Sequence, residues 1–214
     1  MQPSLFEPQP DQSAFVQLPL QDADVRYYPN WIEREKANDY FNSLSNTLVW
    51  RQDTIKLYGK EHLIPRLQAW YGDHDAHYAY SGVPLTPLEW TPLLAELKQH
   101  CERAAGQVFN SVLANWYRHG QDSMGMHSDD EPQLGRQPSI ASVSLGAERQ
   151  LIFKHKRTKQ RVPVLLEHGS LLIMSGQTQH YWQHGINKTA KPIDGRINLT
   201  FRRIYHDNSA AHLR

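Results

Sequence analysis

The stretch Arg196-Ile197-Asn198-Leu199-Thr200-Phe201-Arg202 alternates polar and apolar side chains without a break. Side chains two apart on an extended chain share a face. Arg196, Asn198, Thr200 and Arg202 therefore line one side of a strand, and Ile197, Leu199 and Phe201 line the other. Two guanidinium groups on the inner face of a sandwich strand are costly unless something anionic meets them. A small dicarboxylate would do so through bidentate ion pairs. The same alternation also fits an edge strand with a solvated basic face.

Upstream, the chain is rich in strand patterns from Phe109 onward. Candidates are residues 111–118, 138–146, 149–155, 161–167, 170–175 and 196–205. They are short, separated by turns and uninterrupted by a good helix, which predicts a β-sandwich or jelly roll. Two helices precede them. Trp31, Ile32, Ala37, Tyr40, Phe41 and Leu44 follow helical spacing from Asn30. The second helix has Thr91 as N-cap, Pro92 at its first position, an apolar stripe through Leu93, Leu94, Leu97 and Cys101, and Gly106 at its end. Residues 47–58 read as extended, with a turn at Gly59 and Lys60. Residues 1–24, rich in Gln, Pro and Asp, read as a flexible tail. The expected architecture is α+β, mostly β, with one domain over residues 25–214.

Composition narrows the chemistry. Hydrophobic residues make up 39% of the 214 and charged residues 21%, as in a globular chain. No apolar run approaches a membrane span, so a cytosolic protein is expected. Cys101 is the sole cysteine, which excludes an intrachain disulfide and a cysteine-based metal site. The net charge of +1 hides an asymmetry. Residues 1–148 hold 11 Lys and Arg against 19 Asp and Glu, a balance of −8; residues 149–214 hold 12 against 3, a balance of +9. A basic C-terminal third points to a polyanionic partner, nucleic acid first, or to a solvated basic face.

Twelve histidines supply metal candidates. His127 and Asp129, two apart, can bind one ion from the same face of an extended chain. The third ligand is His184, in Gln183-His184-Gly185, or His180 four residues earlier; spacing does not choose. Two His and one carboxylate leave three positions open, which suits non-heme Fe(II). Two of these take a bidentate cosubstrate such as 2-oxoglutarate and one takes dioxygen. The His-Glu-x-x-His helix of zinc proteases is absent.

Five stretches together resemble the AlkB-type nucleic-acid dealkylating dioxygenases, over roughly residues 25–205. They are Asn115-Trp116-Tyr117-Arg118, His127-Ser128-Asp129-Asp130-Glu131, Pro138 to Gly146, His168 to Met174, and Arg196 to Arg202. The resemblance implies a double-stranded β-helix core at about residues 109–205 and a nucleotide-recognition lid at about 50–84. It implies Fe(II) held by His127, Asp129 and His184, with His180 outside the first shell. It also implies 2-oxoglutarate held by Asn115, Tyr117, Arg196, Thr200 and Arg202, and Asn198, on the same face, is counted among the cosubstrate-binding residues.

The implied reaction oxidises 2-oxoglutarate to succinate and carbon dioxide, and removes an N-methyl group from a base as formaldehyde. Asp130 and Glu131 would lie near a flipped base. Tyr78, Tyr80 and Ser81 match the lid. Tyr58, before Gly59 and Lys60, matches the turn where double-strand-specific members place an aromatic wedge. The Trp116 neighbourhood and the run from His127 to Arg136 look more like the single-strand branch, so strand preference stays open. The implied substrate is alkylated DNA, with RNA a second candidate. The alternative is a 2-oxoglutarate oxygenase acting on RNA, protein or a small molecule. Gln2-Pro3-Ser4-Leu5-Phe6 resembles the short peptide by which bacterial repair proteins bind the sliding clamp. A monomer is expected, near the nucleoid if the source is bacterial.

Overall fold

The computed structural model describes residues 14–57, 59–76, 78–80 and 83–205. In chain order, β1 (Val16–Gln17) and β2 (Asp24–Tyr28) lead into α1 (Arg34–Thr47). Then come β3 (Thr54–Leu57), β4 (Lys60–Leu63), β5 (Leu67–Gly72), β6 (Tyr78–Tyr80), β7 (Val83–Leu85) and α2 (Pro92–Ala105). β8 (Ser111–Tyr117), β9 (Met124–His127), a 3-10 turn at Pro132–Leu134, β10 (Ile140–Gly146), β11 (Arg149–His155), β12 (Arg161–Leu166) and β13 (Ser170–Ser175) follow. The short α3 (Thr178–Tyr181), β14 (Trp182–Ile186) and β15 (Arg196–Arg202) complete the order.

Two antiparallel sheets form a jelly-roll sandwich. The major sheet has seven strands in the order β1-β2-β13-β10-β15-β8-β5, and the minor sheet four in the order β12-β11-β14-β9. β3–β4 and β6–β7 are separate hairpins. β15 is central, hydrogen-bonded to β10 on one side and β8 on the other, and all seven of its residues are buried. The solvated edge strand is thereby excluded. Ile197, Leu199 and Phe201 pack in one core with Tyr40 and Leu44 of α1 and Leu94 and Leu97 of α2. A second core fills the sandwich, where Tyr117, Leu172 and Met174 of the major sheet meet Phe153, Leu166 and Trp182 of the minor. The polar residues of β15 face that interior.

α2 has the expected ends. Thr91 Oγ1 accepts from the Leu94 N–H at 3.2 Å, and Gly106, at φ 65, returns its N–H to Glu102 O. α1 starts at Arg34, later than the spacing suggested, because Trp31 and Ile32 are buried in the preceding turn and the Ile32 N–H donates to Gly169 O at 2.9 Å. Residues 14–24, read as tail, are part of the fold. Val16 and Gln17 pair with β2, Leu20 is buried, and Gln21 O accepts from Trp182 Nε1 at 2.7 Å. This edge strand has both residues exposed and so lacks a period-2 signal. The lid segment is likewise interrupted, since β5 within it belongs to the major sheet. Among the described residues no helix is long and apolar enough to cross a membrane.

Candidate metal and cosubstrate site

β9 and β14 pair so that His127 lies opposite His184, with ring centroids 4.4 Å apart. Gly185 allows this approach: a Cβ there would lie 2.9 Å from Met124 O and 3.0 Å from Gly125 O. His127 Nδ1 is 3.0 Å from Gly125 O. A carbonyl only accepts, so Nδ1 carries the proton and Nε2 offers a lone pair. Asp129 lies just past β9, and three contacts fix it there. Its N–H donates to Gln179 Oε1 at 2.9 Å, Ser128 Oγ donates to Trp182 O at 2.9 Å, and Arg202 donates to its Oδ1.

One ligand atom from each of His127, Asp129 and His184 lies within 4.8 Å of the others, the only such His/Cys/Asp/Glu group among the described residues. Asp129 Oδ2 is buried without a hydrogen bond, 3.5 Å from His184 Nε2. Burial favours a protonated Asp129, but the Arg202 guanidinium and the two imidazoles overcome it and hold the carboxyl at about 2. Burial and the neighbouring His127 push His184 down to about 3. At neutral pH the pair is therefore a carboxylate facing a neutral imidazole, the forms a metal requires. The donor set and the orphaned oxygen fit a divalent cation. His180 is exposed on α3, edge-on to Tyr181, and outside the group.

The facing wall comes from the major sheet. Asn115 and Tyr117 on β8 and Arg196, Asn198, Thr200 and Arg202 on β15 line the same cavity as His127, Asp129 and His184. Arg196 is fully buried. Its Nη2 donates to Ser144 Oγ at 2.9 Å and its guanidinium lies 5.2 Å from the Tyr117 ring centroid, while Nε and Nη1 have no partner. Burial lowers its pKa to about 10, which leaves it charged. Two unpartnered buried donors on a cation fit an incoming carboxylate. Asn198 is engaged with the scaffold, donating to Ser142 Oγ at 2.8 Å and Val143 O at 3.0 Å and accepting from Thr200 Oγ1 at 3.0 Å.

Two buried arginines escaped the sequence reading. Arg66 Nε donates to Asn115 Oδ1 at 2.8 Å; nothing in its surroundings in sequence marks it. Arg149 donates to Asp122 O at 3.0 Å and Asn187 O at 2.8 Å, and lies 5.7 Å from the Tyr117 ring. Its alternation with Leu151 and Phe153 on β11 was a legible sign that it points inward. Arg66, Arg149, Arg196 and Arg202 are each at least nine-tenths buried, and among the described residues only Arg202 of these four meets a carboxylate. The surplus of buried positive charge calls for an anion in the cavity.

Of the substrate candidates, Asp130 and Glu131 are not among the residues that line this cavity. Asp130 is exposed and pairs with Lys156 Nζ at 3.1 Å, and Glu131 is half-buried before the 3-10 turn. Gly59, at φ 79, sits in the β3–β4 turn, and Lys60 opens β4. Tyr78 and Tyr80 fall on β6, opposite Leu85 and Val83. Tyr58, Ser81 and the Gln2–Phe6 peptide lie outside the described residues.

The chain resembles proteins of known class. It is 41% identical over 194 residues to the alpha-ketoglutarate-dependent dioxygenase alkB homolog 3 of Bos taurus, covering 86% of this chain and 67% of that protein. It is 42% identical over 180 residues to the DNA oxidative demethylase ALKBH2 of Homo sapiens, covering 80% and 66%. The solved structure of OsALKBH1 matches its fold with a TM-score of 0.61 at 17% identity, over 84% of this chain and 97% of that one. Residues 24–202 match the model of the 2OG-Fe(II) oxygenase superfamily. Fe(II), 2-oxoglutarate and dioxygen are accordingly its cofactor and cosubstrates. The chain belongs to the 2OG-Fe(II) oxygenase superfamily, and within it to the AlkB type.

Proposed function

We propose that this protein reverses alkylation damage by oxidative demethylation of N-alkylated bases in DNA, with RNA a further substrate. The observation that carries the reading is one cavity holding a His-Asp-His group and a buried arginine with two unpartnered donors. The relatives' names, one of them a DNA oxidative demethylase, supply the substrate class.

In this reading His127, Asp129 and His184 hold Fe(II). Bound Fe(II), with 2-oxoglutarate and dioxygen, supplies the oxidising power that hydroxylates an N-methyl group while 2-oxoglutarate becomes succinate and carbon dioxide. Arg196 pairs with the distal carboxylate, and Asn115, Tyr117, Thr200 and Arg202 complete the cosubstrate wall. Arg202 also keeps Asp129 ionised, so one guanidinium serves both metal and cosubstrate. The apolar side chains between the sheets keep bulk water from the reacting atoms. The hydroxymethylated base then releases formaldehyde.

Asp130 and Glu131 sit at the rim beside the metal ligands and read as contacts to the base. Tyr78, Tyr80 and Ser81, with Tyr58, Gly59 and Lys60, read as the lid and wedge. The protein works as a monomer wherever nucleic acid is, in the cytosol and at the nucleoid of a bacterial cell, and Gln2–Phe6 docks it to the sliding clamp. Deleting residues 2–6 should abolish clamp binding in a pull-down and leave oligonucleotide turnover intact; retained clamp binding removes that assignment.

The central test is formaldehyde and succinate release from a 1-methyladenine oligonucleotide. Wild type should release both in equal amounts, and Asp129→Ala should release neither. Full turnover by Asp129→Ala would falsify the metal assignment. Succinate without demethylation of any nucleic acid would redirect the search to protein or small-molecule substrates.

A further inference from the structure

Outside the central cavity, a cleft of about 450 Å³ opens between the end of β15 and the loop that follows Asp129. Its charged lining residues, among those described, are Arg136 and Arg203, with no carboxylate. Neither guanidinium meets an acid at ion-pair distance among the described residues. Arg203 is half-buried over the Tyr205 ring, 5.1 Å from its centroid, and Arg136 is exposed. Ser139 lines the same wall, and its Oγ is shielded from solvent without a hydrogen-bond partner.

The walls are fixed. The Tyr205 N–H donates to Gln133 O at 2.8 Å, and Asn110 exchanges two 2.8 Å bonds with the Ile204 backbone. Two cations without a counter-charge among the described residues are thus held on a tied backbone, beside an unused hydroxyl. That is the composition of an anion site.

The cleft and the metal site draw on neighbouring positions of the same two segments, the end of β15 and the loop after Asp129. Arg203 follows Arg202, which bonds Asp129, and Arg136 closes the loop that starts at Asp129. From Asp130 to Arg136 the chain spans at most roughly 20 Å. A stacked strand advances about 3.4 Å per nucleotide, so at most about six nucleotides cover that distance, and fewer because Pro132–Leu134 is a 3-10 turn. We propose that Arg136, Arg203 and Ser139 hold the phosphodiester backbone of the polynucleotide whose modified base enters the metal site. This rests on the nucleic-acid reading above and adds to it a second contact, several nucleotides from the reacting base.

The test uses the full chain loaded with Fe(II) and 2-oxoglutarate without oxygen. Binding of single-stranded 3-mers and 15-mers, each with one 1-methyladenine, is followed by fluorescence anisotropy between 50 and 200 mM salt. In the Arg136→Ala/Arg203→Ala variant, affinity for the 15-mer should fall and the slope of log K on log salt should flatten by about 1.4, two contacts at about 0.7 each. Affinity for the 3-mer should stay at the wild-type value, as should its demethylation rate once oxygen is admitted, and the Arg136→Lys/Arg203→Lys variant should keep most of the slope. An unchanged slope on the 15-mer, or equal losses on both lengths, overturns the site. Wild type that binds neither length overturns the nucleic-acid reading and this site with it.

Discussion

At Arg196 the chain buries a charge with two donors unpartnered. Such a group costs folded stability until an anion arrives. Adding 2-oxoglutarate with Mn(II) should therefore raise the melting temperature of wild type, by ligand linkage. Arg196→Met should melt no lower than wild type without ligand and lose the 2-oxoglutarate shift. Differential scanning fluorimetry reads both, and a retained shift would move the distal carboxylate elsewhere. His184 and Asp129 set the acid limit of the metal-free fold. Because His184 is held at about 3, the unfolded chain binds the extra proton below its ordinary value near 6.5. Stability then falls as pH drops from about 6.5 towards 3, by up to about 1.4 kcal/mol per pH unit. Asp129, held at about 2, adds a loss of the same sign below about pH 4. His184→Gln should flatten urea stability between pH 6.5 and 5; an unchanged slope there would assign it to another group. Residue identity was legible where spacing carries it. His127 and Asp129 share a face by simple alternation, whereas choosing His184 over His180 requires the register of β14 against β9. Arg66 has no local pattern at all, since its role depends on a hydrogen bond to Asn115, 49 positions on.

Among the elements, β9 and β14 carry two of the three proposed ligands and were the least visible. Met-Gly-Met-His and Trp-Gln-His-Gly-Ile lack the β-branched runs that mark strands, and pairing rather than propensity makes them extended. α2 was legible to its ends because its cap, proline and terminal glycine act locally. β15 was legible in period but not in position. Alternation told which residues share a face, and only the sheet order told that both faces are covered. The contact at Gly185 gives an element-scale prediction. Gly185→Ala should push β9 off β14 and displace His127, so Mn(II) affinity by calorimetry should drop at least about tenfold, as when ligand orientation is disturbed. Far-UV circular dichroism should remain that of wild type. Unchanged metal affinity would mean the strands separate without moving the ligand.

For the whole molecule, the jelly-roll expectation held while its limits moved. The domain begins before residue 25, because β1 and Gln21 close one end of the sandwich against β2 and Trp182. A chain starting at residue 25 loses the burial of Leu20, worth about 1.5–3 kcal/mol, and a hydrogen bond worth about 1 kcal/mol. Its melting temperature should fall at least about 5 °C below that of a chain starting at residue 14. Equal melting temperatures would return residues 14–24 to the tail. The two helices were read correctly, but they do not precede all the strands: β1 and β2 come before α1, and β5 before α2. The purpose of the helix layer is clear only in three dimensions. It covers the apolar side of β15 and so turns Arg196 and Arg202 inward.

The ion pair between Arg202 and Asp129 joins the two sheets at the metal site. His127 and His184 belong to the minor sheet, while the guanidinium that grips Asp129 belongs to the major. The three groups that could hold a cation all sit on the minor-sheet side, and Arg202 is the strut that ties them to the major sheet with or without the ion. Breaking that strut, and not losing the ion, is what would let the ligand group drift from the wall that carries Arg196, so one guanidinium keeps the two halves of the cavity in alignment before any metal arrives.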